Sequence, residues 1–294
     1  MTYLLHILIF IGIYIILSIS LNLLAGYTGI LSIGHAAFYG IGAYVAALMA
    51  LKLNSPFLLN IFLAIIASAI IGALVGIPSL RIKDDYFIIA TFAFQIIVFS
   101  ILNNLVSFTG GPMGLPGIPQ PVILGIKISS HISFSILITI LCAFTFYVSN
   151  KIVKSPFGRI LKAIREDEIF AQSLGKNISA YKVKIFMISA GLAAIAGVMY
   201  ATYITYIDPT SFTVMESIFI ISIVIIGGAG NLWGSVLGAI VLVMLPEALR
   251  FIGLPNAVAA NIRQMLYGGL LVAFMLWRPQ GFIGEYTFNR NNEK

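Results

Sequence analysis

Long apolar runs alternate with short polar interruptions along the chain, and the length of the runs sets the fold class. Stretches near 4–24, 31–51, 57–79, 86–106, 132–149, 185–207, 213–227, 235–249 and 264–277 are almost free of charge. A helix rises about 1.5 Å per residue, so about 20 residues cross the roughly 30 Å of hydrocarbon in a bilayer. The runs predict an all-α, polytopic transmembrane helical bundle of about nine spans, within a range of about eight to ten. The two near 213–227 and 235–249 are short. They are either tilted helices or a broken pair around GGAGNLWG, residues 227–234. Non-helical backbone at membrane depth is tolerated only where protein shields it from lipid. The first run has no basic residue before it and exceeds the length of a signal-peptide core, so it reads as a retained span.

Composition supports that class. The chain of 294 residues is 60% hydrophobic and 9% charged, against about 25% charged in an ordinary globular protein. Its mean hydropathy is +1.04. The single cysteine, Cys142, sits within an apolar run, which excludes a disulfide framework and a cysteine metal site. The net charge of +7 becomes a topology signal once it is mapped. With residues 150–184 inside the cell, the inner segments hold Arg81, Lys83, Lys151, Lys154, Arg159, Lys162, Arg165, Lys176, Lys182, Lys184, Arg278, Arg290 and Lys294, which is 13 of 17 basic residues. Lys52, Lys127, Arg250 and Arg263 stay outside. The positive-inside rule then puts the N-terminus outside and the C-terminus in the cytoplasm. No nucleic-acid partner is expected. Residues 1–284 read as a single transmembrane domain, and 285–294 as a disordered polar tail.

Two further patterns bear on packing. The outer connection contains TGGPMGLPGIP, residues 109–119, which cannot be continuous helix at that density of glycine and proline. It is an ordinary loop or an ordered surface that meets a partner or shapes a pore mouth. Gly72/Gly76 and Gly234/Gly238 are spaced G-x-x-x-G, and Gly34, Gly40 and Gly42 lie along the second run. Small residues let helices approach closely where no hydrophobic drive acts between them.

One segment breaks the apolar pattern. SPFGRILKAIREDEIFAQSLGKN, residues 155–177, carries Arg159, Lys162, Arg165, Glu166, Asp167, Glu168 and Lys176. At about 2.5–3.5 kcal/mol per charge at mid-membrane, it cannot span. Its helix punctuation is nonetheless clear. Ser155 is a candidate N-cap with Pro156 at the first position, and Gly175 is a candidate stop. Phe157, Ile160, Leu161 and Ile164 form one apolar stripe. The acidic triplet can cap a second short helix over 168–174, making a helix–turn–helix elbow. Two readings stand: an amphipathic loop along anionic headgroups, or a docking element for a cytoplasmic partner. The acidic triplet fits lipid binding poorly.

This segment resembles the cytoplasmic coupling loop of ABC-importer permeases, in the variant of the LivM-type branched-chain amino-acid permeases. LNLLAGYTGILSIGHAAFYGIGAYVAALM (21–49), DDYFIIATFAF (84–94), TGGPMGLPGIP (109–119), IVIIGGAGNLWGSVLGAIVLVMLPEALR (223–250) and LWRPQGFIG (276–284) resemble the same family in its order. Ile169-Phe170-Ala171 stand where the general permease loop begins Glu-Ala-Ala, and Gln95-Ile96 where many relatives have Gly and an acidic residue.

The resemblance implies a permease subunit that forms half of a translocation path for hydrophobic amino acids. The loop 150–184 would enter a cleft on a separate ATPase. Phe157, Gly158, Arg159, Arg165, Glu166, Asp167, Glu168 and Gly175 would carry the coupling, with the apolar stripe as its anchor. ATP would bind the partner, and no cofactor is expected on this chain, which has no G-x-x-x-x-G-K-[ST] loop. The implied partners are a second, LivH-like permease in a heterodimer, two cytoplasmic ATPase subunits, an extracytoplasmic solute-binding protein and membrane lipids. The implied location is the bacterial or archaeal plasma (inner) membrane. With His6, His35 and His131 the only histidines and no nucleophile set, no enzymatic activity is expected.

The candidate path residues are the polar groups within spans: Asn22, Ser32, His35, Thr91 and Gln95. For His35 the alternatives are a solute contact and a helix–helix hydrogen bond. Two other functions compete. Urea or short amides fit the same architecture. A proton-coupled secondary transporter would need carboxylates deep in the spans, which are nearly absent.

Overall fold

The computed structural model describes residues 2–80, 84–123, 125–173 and 175–250, with short stretches at 265, 268–270, 272–274, 276 and 280–283. Part of the expected ninth span, the tail 285–294, and Arg81, Lys83, Arg278, Arg290 and Lys294 lie outside the described residues.

The apolar runs fold as helices. In order they are α1 (Thr2–Thr28), α2 (His35–Leu53), α3 (Phe57–Ser79), α4 (Asp84–Asn104), the short α5 (Val106–Thr109), α6 (His131–Lys154), α7 (Pro156–Glu166), α8 (Glu168–Ser173), α9 (Ile178–Ile204), α10 (Val214–Gly227) and α11 (Leu232–Arg250). Six of them, α1, α2, α3, α4, α6 and α9, are long and apolar enough to cross a membrane. The expected seventh and eighth spans are instead one pair, α10 and α11, bent by 120° at residues 228–231. Counted as one span, the pair brings the number among the described residues to seven.

α1 and α9 form the centre. Ser189 of α9 donates to the Ser20 carbonyl at 2.6 Å, and His6 lies 2.7 Å from the Tyr203 hydroxyl, so the two helices run antiparallel over their length. α2 and α3 pack on the other sides of α9. A Cβ at Gly197 would stand 2.1 Å from the Tyr39 carbonyl oxygen, so the α2 and α9 backbones touch. Contact of that kind supplies association energy where burial from water cannot.

Two connections do not cap the bundle but dip into it. The second span begins at His35 rather than near residue 31, because residues 29–34 are non-helical. Ser20 lies 2.7 Å from His35, eight residues before the end of α1, which is about 12 Å along the helix. Residues 29–34 thus run back beside α1 from its end to the level of Ser20, and protein covers them. On the other side of the bundle, a strand β4 (Tyr206–Ile207) and a 3-10 turn (Pro209–Phe212) follow α9. Phe212 packs edge-on against Tyr39 of α2 at 4.9 Å.

The loop after α4 is ordered by that second dip. Its strand β1 (Leu115–Pro116) pairs antiparallel with β4, and the Ile118 amide donates to the Thr205 carbonyl at 3.1 Å. Gly114 has φ +67°, and a Cβ there would meet the Ile207 carbonyl at 2.2 Å; only glycine fits. A second small hairpin, β2 (Val122–Ile123) with β3 (Ile126–Lys127), completes the loop.

Candidate functional site

The polar residues expected on a path fall into two buried nodes. Asn22, Ser32, His35, Thr91 and Gln95 are all fully buried. Their hydrogen bonds divide the five between two places.

The first node lies where α2 and α10 begin. The Gln95 amide of α4 donates to the Phe212 carbonyl at 2.7 Å, and its oxygen accepts from Ser217 of α10 at 3.2 Å. Ser217 in turn accepts from the Ala36 amide at 2.9 Å, satisfying one of the orphan donors at the start of α2. Thr91 accepts from the Ile33 amide at 3.2 Å, and Ser32 accepts from the Gly34 amide at 3.3 Å. These side chains satisfy the broken backbone of the dips. Beside them the Ser20 hydroxyl donates to the Leu17 carbonyl at 2.7 Å. His35 Nε2 lies 2.7 Å from Ser20 Oγ, and Nδ1 is buried without a partner. Of the five candidates, His35 alone carries such an unpaired buried side-chain atom.

The second node is the bend between α10 and α11. Asn22 of α1 donates to the Asn231 carbonyl at 2.8 Å and to Ser235 at 2.6 Å, and accepts from the Gly230 amide at 2.9 Å. One side chain therefore pairs three groups across the break. The α10 carbonyls at the bend are met from far along the chain: Phe282 donates to Ile226 at 2.9 Å and Ile283 to Gly227 at 3.2 Å. Sequence reasoning missed this clamp. Its only trace was the run LWRPQGFIG, noticed as a resemblance and not as a contact. Two carboxylates near the pair are bound to tyrosines, Glu216 by Tyr14 at 2.6 Å and Glu247 by Tyr3.

The charged segment forms the expected elbow. Ser155 caps α7 by accepting from the Gly158 amide at 3.3 Å, and Asp167 caps α8 by accepting from the Phe170 amide at 2.9 Å. Gly175 has φ +72° and turns the chain toward α9. The apolar stripe, however, faces this chain's own bundle. Leu161 is fully buried and Ile164 nearly so, Ile160 packs beside Ile164, and Phe157 stacks on Tyr181 at 5.3 Å. Leu161 and Ile164, two members of the stripe expected to anchor a separate protein, are therefore covered within this chain. The charges also act within the chain. Arg165 donates to the Gly26 carbonyl near the end of α1 at 2.7 Å and pairs with Glu166 at 2.8 Å. Glu168 pairs with Lys182 at 2.7 Å. Arg159 is exposed. What faces outward and apolar is α8, where Ile169 is 80% and Phe170 60% exposed.

Apolar membrane-length helices and an amphipathic elbow at one end describe a multi-pass membrane protein. The chain belongs to the family described as the branched-chain amino acid transport system permease component, which matches residues 3–275. It is a transport subunit rather than an enzyme. It is similar to the high-affinity branched-chain amino acid transport system permease protein LivM of Salmonella typhimurium, 35% identical over 92% of this chain and 68% of that protein. The probable LivM of Methanocaldococcus jannaschii is 28% identical, covering 95% of this chain and 92% of its own. LivH of Salmonella typhimurium is 26% identical over 92% of this chain and 91% of that protein. No solved structure matches.

Proposed function

We propose that this chain is one permease of an ATP-driven importer for branched-chain amino acids, coupled through α8 to a separate ATPase. The observation that carries the coupling is the exposure of Ile169 and Phe170 on a helix tied back to the bundle by the Glu168–Lys182 pair. Two adjacent large apolar side chains on a water-facing helix lose free energy to hydration until a partner covers them. α7, wedged on the bundle by its stripe and by Arg165 on the end of α1, is the strut that carries a push on α8 into the spans. Arg159, Glu166, Asp167 and Gly175 complete the elbow that holds α8 in register.

The solute assignment rests on the printed functions of the relatives. Few fixed charges lie in the spans, which suits small solutes with apolar side chains. His35, with its unpaired ring nitrogen between α1 and α2, is the residue most suited to a solute or gating contact. Asn22, Ser32, Thr91 and Gln95 hold the broken backbone around it. Similarity over nearly the whole length to both LivM and LivH proteins supports pairing with a second permease of like architecture. An extracytoplasmic binding protein would supply selectivity. In this arrangement the elbow is cytoplasmic and the N-terminus outside, consistent with the basic residues gathered at the elbow's end.

The test is reconstitution of the permease pair with its ATPase and binding protein in vesicles. Leucine, isoleucine and valine should stimulate ATP hydrolysis severalfold, and urea and acetamide should not. Stimulation by urea alone would replace the solute, and no stimulation with intact assembly would remove the importer reading.

A further inference from the structure

A cavity of about 530 Å³ opens at the elbow end of the bundle, between α6, α7 and the bend before α11. Three cations from two helices line it: Lys154 at the end of α6, and Arg159 and Lys162 on α7. No carboxylate lines it; among the described residues Glu166 and Glu168 are paired with Arg165 and Lys182 instead. The amide side chains of Asn150 and Asn231 supply neutral donors, and Trp233 forms a wall. Trp233 is 62% exposed, and nearby on α6 Lys151 lies over the Tyr147 ring at 5.3 Å. Exposed tryptophan and tyrosine beside lysines mark headgroup depth on a membrane protein. Three like charges facing one cavity repel each other, and an anion relieves that repulsion.

We propose that this cavity binds the phosphate of an anionic phospholipid from the leaflet bordering the elbow. Lys154, Arg159 and Lys162 face the phosphate, the two asparagine amides its ester oxygens or glycerol hydroxyls, and Trp233 the glycerol backbone. Membrane apposition favours a lipid over a soluble phosphate, because the exposed tryptophan wall belongs to the interface. The site joins α7 to the Gly230–Trp233 backbone, so an occupied cavity would tie the elbow to the bend held by Asn22.

Native mass spectrometry of the full chain in detergent tests this, with phosphatidylglycerol and phosphatidylcholine titrated separately. Wild type should retain one tightly held phosphatidylglycerol and no comparable phosphatidylcholine. Lys154→Gln/Lys162→Gln should weaken that retention about 25-fold, the conversion of about 1 kcal/mol for each of two cations near anionic lipid. Lys52→Gln/Lys127→Gln, which removes equal charge at the opposite end, should leave it unchanged. Equal retention in all three proteins overturns the site. So does a bound adduct with millimolar inorganic phosphate where phosphatidylglycerol gives none. Loss of co-expressed ATPase from the first double variant, with lipid retention intact, would likewise overturn it by assigning the cations to the protein partner.

Discussion

α7 and α8 come from one charged stretch and are separated by a single residue, yet they spend their apolar faces differently. α7 turns Leu161, Ile164 and Phe157 inward and is held by Arg165 on the Gly26 carbonyl. α8 buries little beyond Ala171 and leaves Ile169 and Phe170 in water. From hydrophobic periodicity, α7 is the stronger candidate for docking a partner, since it has the cleaner stripe. The structure reverses that ranking. A clean stripe on a short helix next to a bundle is what attaches it, and the residues available to a partner are those the bundle leaves uncovered.

The contrast can be broken at several points. Leu161→Ala removes core packing from the strut and should cost about 2–5 kcal/mol, read as a lowered melting temperature of the permease without its partner. Arg165→Ala removes a charge-assisted bond to the end of α1 and should cost about 1.5–3 kcal/mol, again in the isolated permease. If either variant melts like wild type, α7 is not a strut. Ile169→Ala with Phe170→Ala should do the opposite. Stability should stay within about 0.5 kcal/mol, as for exposed sites, while capture of the ATPase subunits falls tenfold or more, about 1.4 kcal/mol. A fall in stability without loss of capture would return docking to α7. The smallest change is expected for Glu168→Gln. Its partner Lys182 is buried but Glu168 itself is half exposed, so the loss should be at most about 1 kcal/mol, seen as a slight drop in ATPase capture at low salt that vanishes at high salt.

A second contrast lies between the two interruptions of helix within the bundle. The start of α2 and the α10–α11 bend both leave amides and carbonyls without helical partners inside the protein, where each unsatisfied group is costly. Around α2 the groups are met by neighbours from three segments: Ser32 in the connection, Thr91 and Gln95 on α4, and Ser217 on α10. At the bend, Asn22 alone meets two of them and the Ser235 hydroxyl, and Phe282 and Ile283 meet two carbonyls from behind. Buried polar side chains in such a protein serve its backbone first. His35 differs because one of its ring nitrogens has nothing to serve.

Much of this was legible in the residues. The spans of α1, α3, α4, α6 and α9 follow from apolar length, which needs no tertiary information because crossing hydrocarbon is a local requirement. The caps of α7 and α8 followed from Ser155, Pro156 and Asp167, which act over a few residues. The short runs 213–227 and 235–249 signalled that something was broken, without showing that they make one bent pair. The late start of α2 was hidden because residues 31–34 are as apolar and span-like as those after them.

By itself, then, the sequence determined membrane class, the elbow with its caps, and the polar residues that had to find partners. Only the tertiary structure decided which partner each one found. Asn22 reaches the bend, Gln95 the turn at Phe212, and Leu161 the bundle, across separations of roughly a hundred residues or more. Such pairings depend on how helices of nearly uniform apolarity pack together, and uniform apolarity carries no address.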